Sequence, residues 1–459
     1  MTSRSRVSRL VGAVAGMAAL LAANAAQAIS LIRDTEIEEI IRVQSEPVLR
    51  ASGLNPNSVR FYLVADKELN AFVAGGQNIF LHTGLITEAE TPNQLLGVIA
   101  HEAGHISGGH LIRSGDMIRA GMTPFLLTMG LGIAAALAGQ GAAGAALMGS
   151  SSYFGTLSVL SYSRVQEAAA DQAAVSALSE SGQSAKGLVE FFDNFRYQEV
   201  FSDQKKYQFF RSHPLSSERI ETLRRRALEQ PHYEQPDTPE AIEKHNIMKA
   251  KLEAFMNPPQ QTFIKYQDKD QSFIARYARA IAYYQAGDAD RAVTLIDALL
   301  AEQPENPYLW ELKGQVLFEN ARAAEAEPAH KRSVELMPEA PLLRINYAQT
   351  LLALNDETRV EEAIQELGRA LTVEKDNAFA WRLLSQAFDG KGMPGQARLA
   401  AAEAHFALGD LQQARIFAMR AREHLTKDTP DWRRATDIVL VSEPSKEDLK
   451  AIAQETRGG

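Results

Sequence analysis

The sequence predicts a mainly α-helical chain in two parts: a helical domain with a small β-sheet, followed by an α-solenoid of paired helices. Three observations carry this reading. Residues 29–228 show helical periodicity broken by two strand-like runs. A polar stretch with Pro231, Pro236 and Pro239 then marks a domain edge. From about residue 270 the chain repeats itself at a period near 34 residues.

Within the first part, Asp34 to Ser52 places Ile37, Ile40, Ile41, Val48 and Leu49 on one helical side. Val59 to Val64 reads as a strand. A second strand, Gly75 to Leu81, opens with two glycines. A helix then starts at Thr91 as N-cap, with Pro92 in its first turn and Gln94 completing a capping box. It carries Leu95, Leu96, Val98 and Ile99 into His101. Residues 229–265 are expected to connect the two parts, and residues 446–459 to form a tail.

Residues 266–445 hold the repeats. Ala292, Ala326, Ala363 and Ala397 are spaced by 34, 37 and 34 residues, and Pro304 and Pro338 are again 34 apart. Trp310 and Gly314 occupy the Trp and Gly positions of a tetratricopeptide repeat, and Trp381 recurs two repeats later. The pattern resembles an array of about four such repeats, whose stacked pairs form a concave groove for peptides or proteins.

Composition narrows the chemistry. The chain has 459 residues, no cysteine and a net charge of −9. Thiolate metal sites and disulfides are excluded, so any metal must use histidine and carboxylates. The acidic balance argues against nucleic acid as a partner. Arg4, Arg6 and Arg9, the apolar run Leu10 to Ala23 and Ala26-Gln27-Ala28 read as a signal peptide over residues 1–28. Cleavage would leave Ile29 first and the protein in the periplasm; the alternative is an uncleaved anchor. No charged residue falls between Arg119 and Arg164. Residues 120–163 are therefore expected either to make peripheral membrane contact or to cover a cleft.

The strongest local signal is His101-Glu102-Ala103-Gly104-His105. Residues four apart share a helix face, so both imidazoles can reach one zinc ion. Glu102 is placed to act as general base on a zinc-bound water. Alone, the pattern also fits a helix with two surface histidines. Zinc needs a third protein ligand and an open fourth position. Glu167 is the candidate, with Asp171 one turn on to accept a hydrogen bond from His101 or His105. The alternative for this pair is a solvated acidic face. His110 competes as third ligand, but a three-histidine motif would need position 111, where leucine stands. His213, before Pro214, either approaches the metal or simply starts a helix. Near the metal it would stabilise an oxyanion or block the open position.

Together these residues resemble peptidase family M48. The likeness rests on Asn70-Ala71-Phe72 with Gly75-Gly76, on Gly84-Leu85, on the zinc helix, on Ser163-Arg164 with Glu167 and Ala170-Asp171, and on His213-Pro214 with Arg219-Ile220. It covers about residues 35–225. It implies a gluzincin-type metalloprotease fold, endopeptidase activity, one Zn2+ per chain and Glu167 as third ligand. It also implies that the strand carrying Gly75, Gly76, Asn78 and Phe80 borders the cleft and pairs with extended substrate. Ala74 departs from the pattern, where many members have proline.

The repeats and the signal peptide narrow the likeness to periplasmic members from Gram-negative bacteria. That implies partners among unfolded or stalled outer-membrane β-barrel proteins and the barrel assembly machinery, and a chaperone contribution. A rival reading is a periplasmic repeat chaperone or scaffold with a latent or structural zinc site. A third, an intramembrane protease, rests on residues 120–163 alone.

Overall fold

A computed structural model describes residues 31–110, 164–201, 213, 216–354, 356–447 and 449–450. The segment 1–28, the uncharged stretch 120–163 and most of the tail 446–459 lie outside the described residues. Among the described residues no helix is long and apolar enough to cross a membrane. The chain is mainly helical, with its small sheet confined to the first domain.

That sheet has four strands: β1 (Leu31–Ile32), β2 (Arg60–Val64), β3 (Ala71–Ala74) and β4 (Asn78–His82). Their order is β1-β2-β4-β3, with β2 and β4 parallel and the other two pairs antiparallel. Strand β3 was not expected from the sequence. It forms because Gly75 and Gly76 take positive φ of 59° and 101°, which a tight hairpin requires and glycine alone adopts without strain.

This topology corrects the substrate-strand expectation. β4 is an inner strand, hydrogen-bonded to β2 on one side and β3 on the other, so it has no edge to offer. Gly75 and Gly76 form the hairpin turn, and the Asn78 side chain closes it by donating to the Gly75 carbonyl at 2.9 Å. Phe80 is fully buried between Tyr62 and Phe72, with ring centroids 4.9 and 4.8 Å away. Among the described residues, the edge on this side of the sheet is β3.

The helices of the first domain are α1 (Thr35–Ala51), α2 (Thr83–Glu88), α3 (Pro92–Ser107), α4 (Arg164–Glu180), α5 (Lys186–Phe201) and α6 (Ser217–Leu228). They bury Ile37, Leu63, Ile79, Leu85, Phe191 and Phe192 in one core. The α3 start keeps its predicted cap: Thr91 accepts from the Gln94 N–H, but the Gln94 side chain reaches one residue further back and accepts from the Glu90 N–H rather than from Thr91.

Two further helices, α7 (Pro239–Met256) and α8 (Pro259–Lys265), fill the connecting stretch. α7 is no loose tether. Met248 and Leu252 complete the core of the first domain, while Ile247, Ala250 and Ala254 enter the core of the second. Burying two such apolar side chains contributes about 3–6 kcal/mol. The ion pairs Arg33–Glu374 and Arg60–Asp376, which also join the parts, have half-exposed arginines and contribute at most about 1 kcal/mol each.

The repeats run through α9 (Phe273–Gln285), α10 (Ala289–Glu302), α11 (Pro307–Glu319), α12 (Ala323–Leu336), α13 (Pro341–Ala353), α14 (Glu357–Val373), α15 (Ala378–Gly390), α16 (Pro394–Ala407), α17 (Leu411–Arg422) and α18 (Pro430–Val441). The periodic alanines 292, 326, 363 and 397 are all buried where paired helices meet. Trp310, Arg344 and Trp381 each donate to the carbonyl six residues earlier, at 2.8, 2.7 and 2.8 Å. The same local joint thus recurs in three successive repeats.

Candidate metal centre

α3 and α4 cross at Gly104. A Cβ there would stand 2.8 Å from the Ala170 carbonyl oxygen, so only glycine allows this approach. The contact sets His101 and His105 opposite Glu167. His213, from the segment before α6, closes the fourth side. One ligand atom from each of His101, His105, Glu167 and His213 lies within 4.8 Å of the others, and all four residues are buried.

The distances are those of a coordination shell. His101 Nε2 lies 3.1 Å from His105 Nε2 and 3.2 Å from His213 Nδ1. Glu167 is 3.4 Å from His101 and from His105, and 3.1 Å from His213. Ligands held about 2.0–2.1 Å from a tetrahedral zinc are spaced by roughly 3.3 Å. A set of imidazole and carboxylate without thiolate suits that ion. Glu102 adds a further sign. It is buried, and neither of its oxygens hydrogen-bonds to a described residue; His213 Nε2 is 3.4 Å away. Burial pushes its carboxyl up toward the neutral acid, while His213 and His101 oppose this. Such an orphaned carboxylate fits beside a water that a metal would hold.

Behind the cluster each helical histidine has a partner on its other nitrogen. Asp171 Oδ1 lies 2.9 Å from His101 Nδ1. His110 Nδ1 lies 2.9 Å from His105 Nδ1. α3 stops at Ser107 and the chain reverses through Gly109, at φ 61°, which brings His110 back against His105. His110 therefore stands outside the group of four. Of the two nitrogens available on His105, it meets the one facing away from the cluster.

Arg219 is the residue to which sequence reasoning gave no role. Its Nε and Nη2 donate to Asp171 at 2.6 and 2.8 Å, and its Nη1 lies 2.6 Å from Glu167. The signal was present: Arg219 falls on the same stripe of α6 as Ile220, Leu223 and Ala227, the face that is buried. Ser216 caps that helix and places Arg219 in its first turn.

The charges are mutually supported. At Asp171, burial favours the neutral acid, but the bonds from Arg219 and His101 outweigh it and hold the carboxyl below its usual range. At Glu167, burial is likewise overcome, by His213, His101 and His105, and the group stays ionised. At His101, burial opposes the charge, yet Asp171 and Glu167 push its pKa up to about 9. Burial drives His105 well down, toward the neutral form that binds a metal.

Comparison with known proteins bears on this geometry. Residues 32–227 match peptidase family M48. Residues 266–316 match the tetratricopeptide repeat, and residues 293–402 match the cytochrome c-type biogenesis protein H TPR domain. The chain is 26% identical over 376 residues to a beta-barrel assembly-enhancing protease of Yersinia pestis, covering 78% of this chain and 74% of that protein. The corresponding protein of Escherichia coli K12 is 28% identical over 371 residues, with the same coverage. Metalloprotease LoiP of Escherichia coli K12 is 31% identical over 176 residues, 38% of this chain and 65% of that protein. Among solved structures, a crystal structure of MamA matches with a TM-score of 0.28 at 16% identity, covering 35% of this chain and 93% of that one.

Proposed function

Because this chain carries a peptidase family M48 domain followed by tetratricopeptide repeats, we propose that it is a periplasmic zinc endopeptidase acting on misfolded or stalled outer-membrane proteins. The observation that carries the catalytic part is the convergence of His101, His105 and Glu167 beside the orphaned carboxylate of Glu102. The outer-membrane part rests on the names of the relatives, and the periplasmic part on the signal-peptide reading of residues 1–28.

His101, His105 and Glu167 would hold the zinc. When bound, it supplies a Lewis acid that polarises a scissile carbonyl and acidifies a water. Glu102 takes the proton of the attacking water and returns it to the leaving amide nitrogen. Asp171 and His110 orient the two imidazoles, and Arg219 bridges Glu167 and Asp171 and keeps Asp171 charged. An extended substrate would pair with the edge of β3 rather than with β4. Stacked repeats would hold substrate or the assembly machinery.

His213 favours a second reading as well. With its Nδ1 in the group of four, it completes the shell and leaves no corner for water. The chain in this state would be latent, and a repeat chaperone or scaffold with a silent zinc site is the alternative function.

The deciding measurement is zinc content and casein cleavage on the processed chain and two variants. Glu102→Gln should retain one zinc and lose cleavage by about 10²–10⁴-fold. His213→Ala should retain zinc and cleave faster than the parent. Zinc without cleavage in any of the three would establish the scaffold reading, and absence of zinc would overturn both.

A further inference from the structure

A cavity of about 830 Å³ lies between the start of the first domain and the inner helices of the repeats. Leu31 to Asp34 and α7 form one wall; α11, α13 and the start of α15 form the other. Its volume falls in the range of binding pockets, about 300–1,000 Å³. Phe255, Leu342, Ile345 and Phe379 make it largely apolar, and Gln315, Asn346 and Gln349 also line it, with Gln315 donating to Glu319 and Asn346 to Glu311. Amides offer both donor and acceptor, which is what the backbone of an extended chain needs.

Two carboxylates of this lining, Glu311 and Glu319, have no cation within ion-pair distance among the described residues; Glu319 is exposed and accepts from Tyr284 and Gln315, while Glu311 is set deeper. Lys251 is shared by Asp34 and Glu36, at 2.8 and 3.1 Å, and Tyr277 also donates to Glu36 at 2.8 Å. Arg33 is taken by Glu38 and Glu374. Glu311 receives only neutral donors, Thr35 at 3.3 Å and Asn346 at 3.2 Å, both on Oε1. Among the described residues no cation lies within ion-pair distance of it. Tyr308 and His330 are its other titratable neighbours, and neither carries a positive charge at neutral pH: burial pushes the Tyr308 phenol up and the His330 imidazole down to about 4.

We propose that this cavity binds an extended polypeptide segment that sets one arginine or lysine side chain, flanked by apolar residues, against Glu311. The carboxylate then gains the cation that the fold withholds. Its present state agrees. Burial is the largest cause of a pKa pushed up to about 8, Lys251 opposes it, and Asp34 and Glu36 add to it. A bound guanidinium would reverse this shift, so binding at neutral pH must expel a proton.

The test uses the full chain as the Glu102→Gln variant, so that the probe stays whole. Fluorescence anisotropy follows a labelled nonapeptide of alternating leucine and threonine with one central arginine, beside its uncharged citrulline counterpart. The arginine peptide should bind about tenfold tighter at pH 9, a usual value for a charge-assisted hydrogen bond. Its affinity should rise about tenfold from pH 7 to 9, as the ionised fraction of Glu311 grows. The citrulline peptide should show neither effect, and Glu311→Gln should make the two peptides equal. Calorimetry at pH 7 in two buffers of different ionisation enthalpy should show about one proton released with arginine. Gln349→Trp, at a half-buried lining position, narrows the cavity and gives a second check by weakening arginine-peptide binding.

Equal affinities for the two peptides at pH 9 would overturn the proposal. So would an arginine preference that survives Glu311→Gln, unchanged binding to Gln349→Trp, or displacement by spermidine at the peptide's own concentration. The catalytic reading fails separately, through casein cleavage and zinc content in the unaltered active site.

Discussion

Helices α3 and α4 in the peptidase domain and α11 and α12 in the repeats each meet at a glycine. A Cβ on Gly104 would stand 2.8 Å from the Ala170 oxygen, and one on Gly314 would stand 2.2 Å from the His330 ring. Both contacts bring a histidine-bearing helix against its neighbour, and the outcomes differ. At α3 the histidines face a carboxylate, a further histidine and, behind them, Asp171 and Arg219. At α12, His330 faces the Thr350 hydroxyl at 2.8 Å, and burial pushes its pKa down to about 4. Close packing by itself makes a neutral core histidine. A metal site needs the opposing helix to bring charge, and something to keep that charge ionised.

The sharpest way to break this comparison is to remove that last element. Arg219→Met leaves Glu167 and Asp171 buried without their cation. The loss should be about 3–5 kcal/mol in urea unfolding of the metal-free chain. A loss below about 1 kcal/mol would mean that the histidines alone carry the balance.

The paired substitutions Gly104→Ala and Gly314→Ala separate packing from function. Each should cost about 1–3 kcal/mol by overpacking. Gly104→Ala should also lower zinc content and casein cleavage, because it pushes α4 and Glu167 away from His101. Gly314→Ala should leave zinc content intact. Equal effects of the two on zinc would show that the metal centre tolerates a shift of α4.

A further effect concerns Glu311, which has no cation within ion-pair distance among the described residues. Glu311 has a pKa of about 8 in the folded chain against 4.5 unfolded. Between these values the folded state holds a proton that the unfolded state gives up, so stability falls as pH rises across that window. Glu311→Gln removes this fall. Its Tm should match the parent near pH 4.5 and exceed it at pH 9 by roughly 3–8 °C. A parent and variant with parallel pH profiles would place the titration elsewhere.

Much of the fold was legible because its signals are local. The Thr91 cap, the stripe of α1, the pairing of His101 with His105 by helical spacing, and the 34-residue alanine period each depend on residues close in sequence. The juxtaposition of Glu167 and Asp171 was readable one step further, because their spacing puts both on one helix face and the neighbouring residues are small. The strand order was not readable. Gly75 and Gly76 signal a turn equally well at an edge or inside a sheet, and only the pairing of β2 with β4 puts β4 in the interior.

By itself, the sequence determined which side chains could meet a metal, since periodicity fixes the face of each helix before any packing occurs. It also determined that the second half would stack as repeated helix pairs. Tertiary structure alone decided three things: that His213 joins the group of four, that Arg219 holds Glu167 and Asp171, and that α7 belongs to both cores. The physical reason is common to all three. Each joins residues far apart in the chain, and their contact depends on how buried faces and charges are matched across the whole domain.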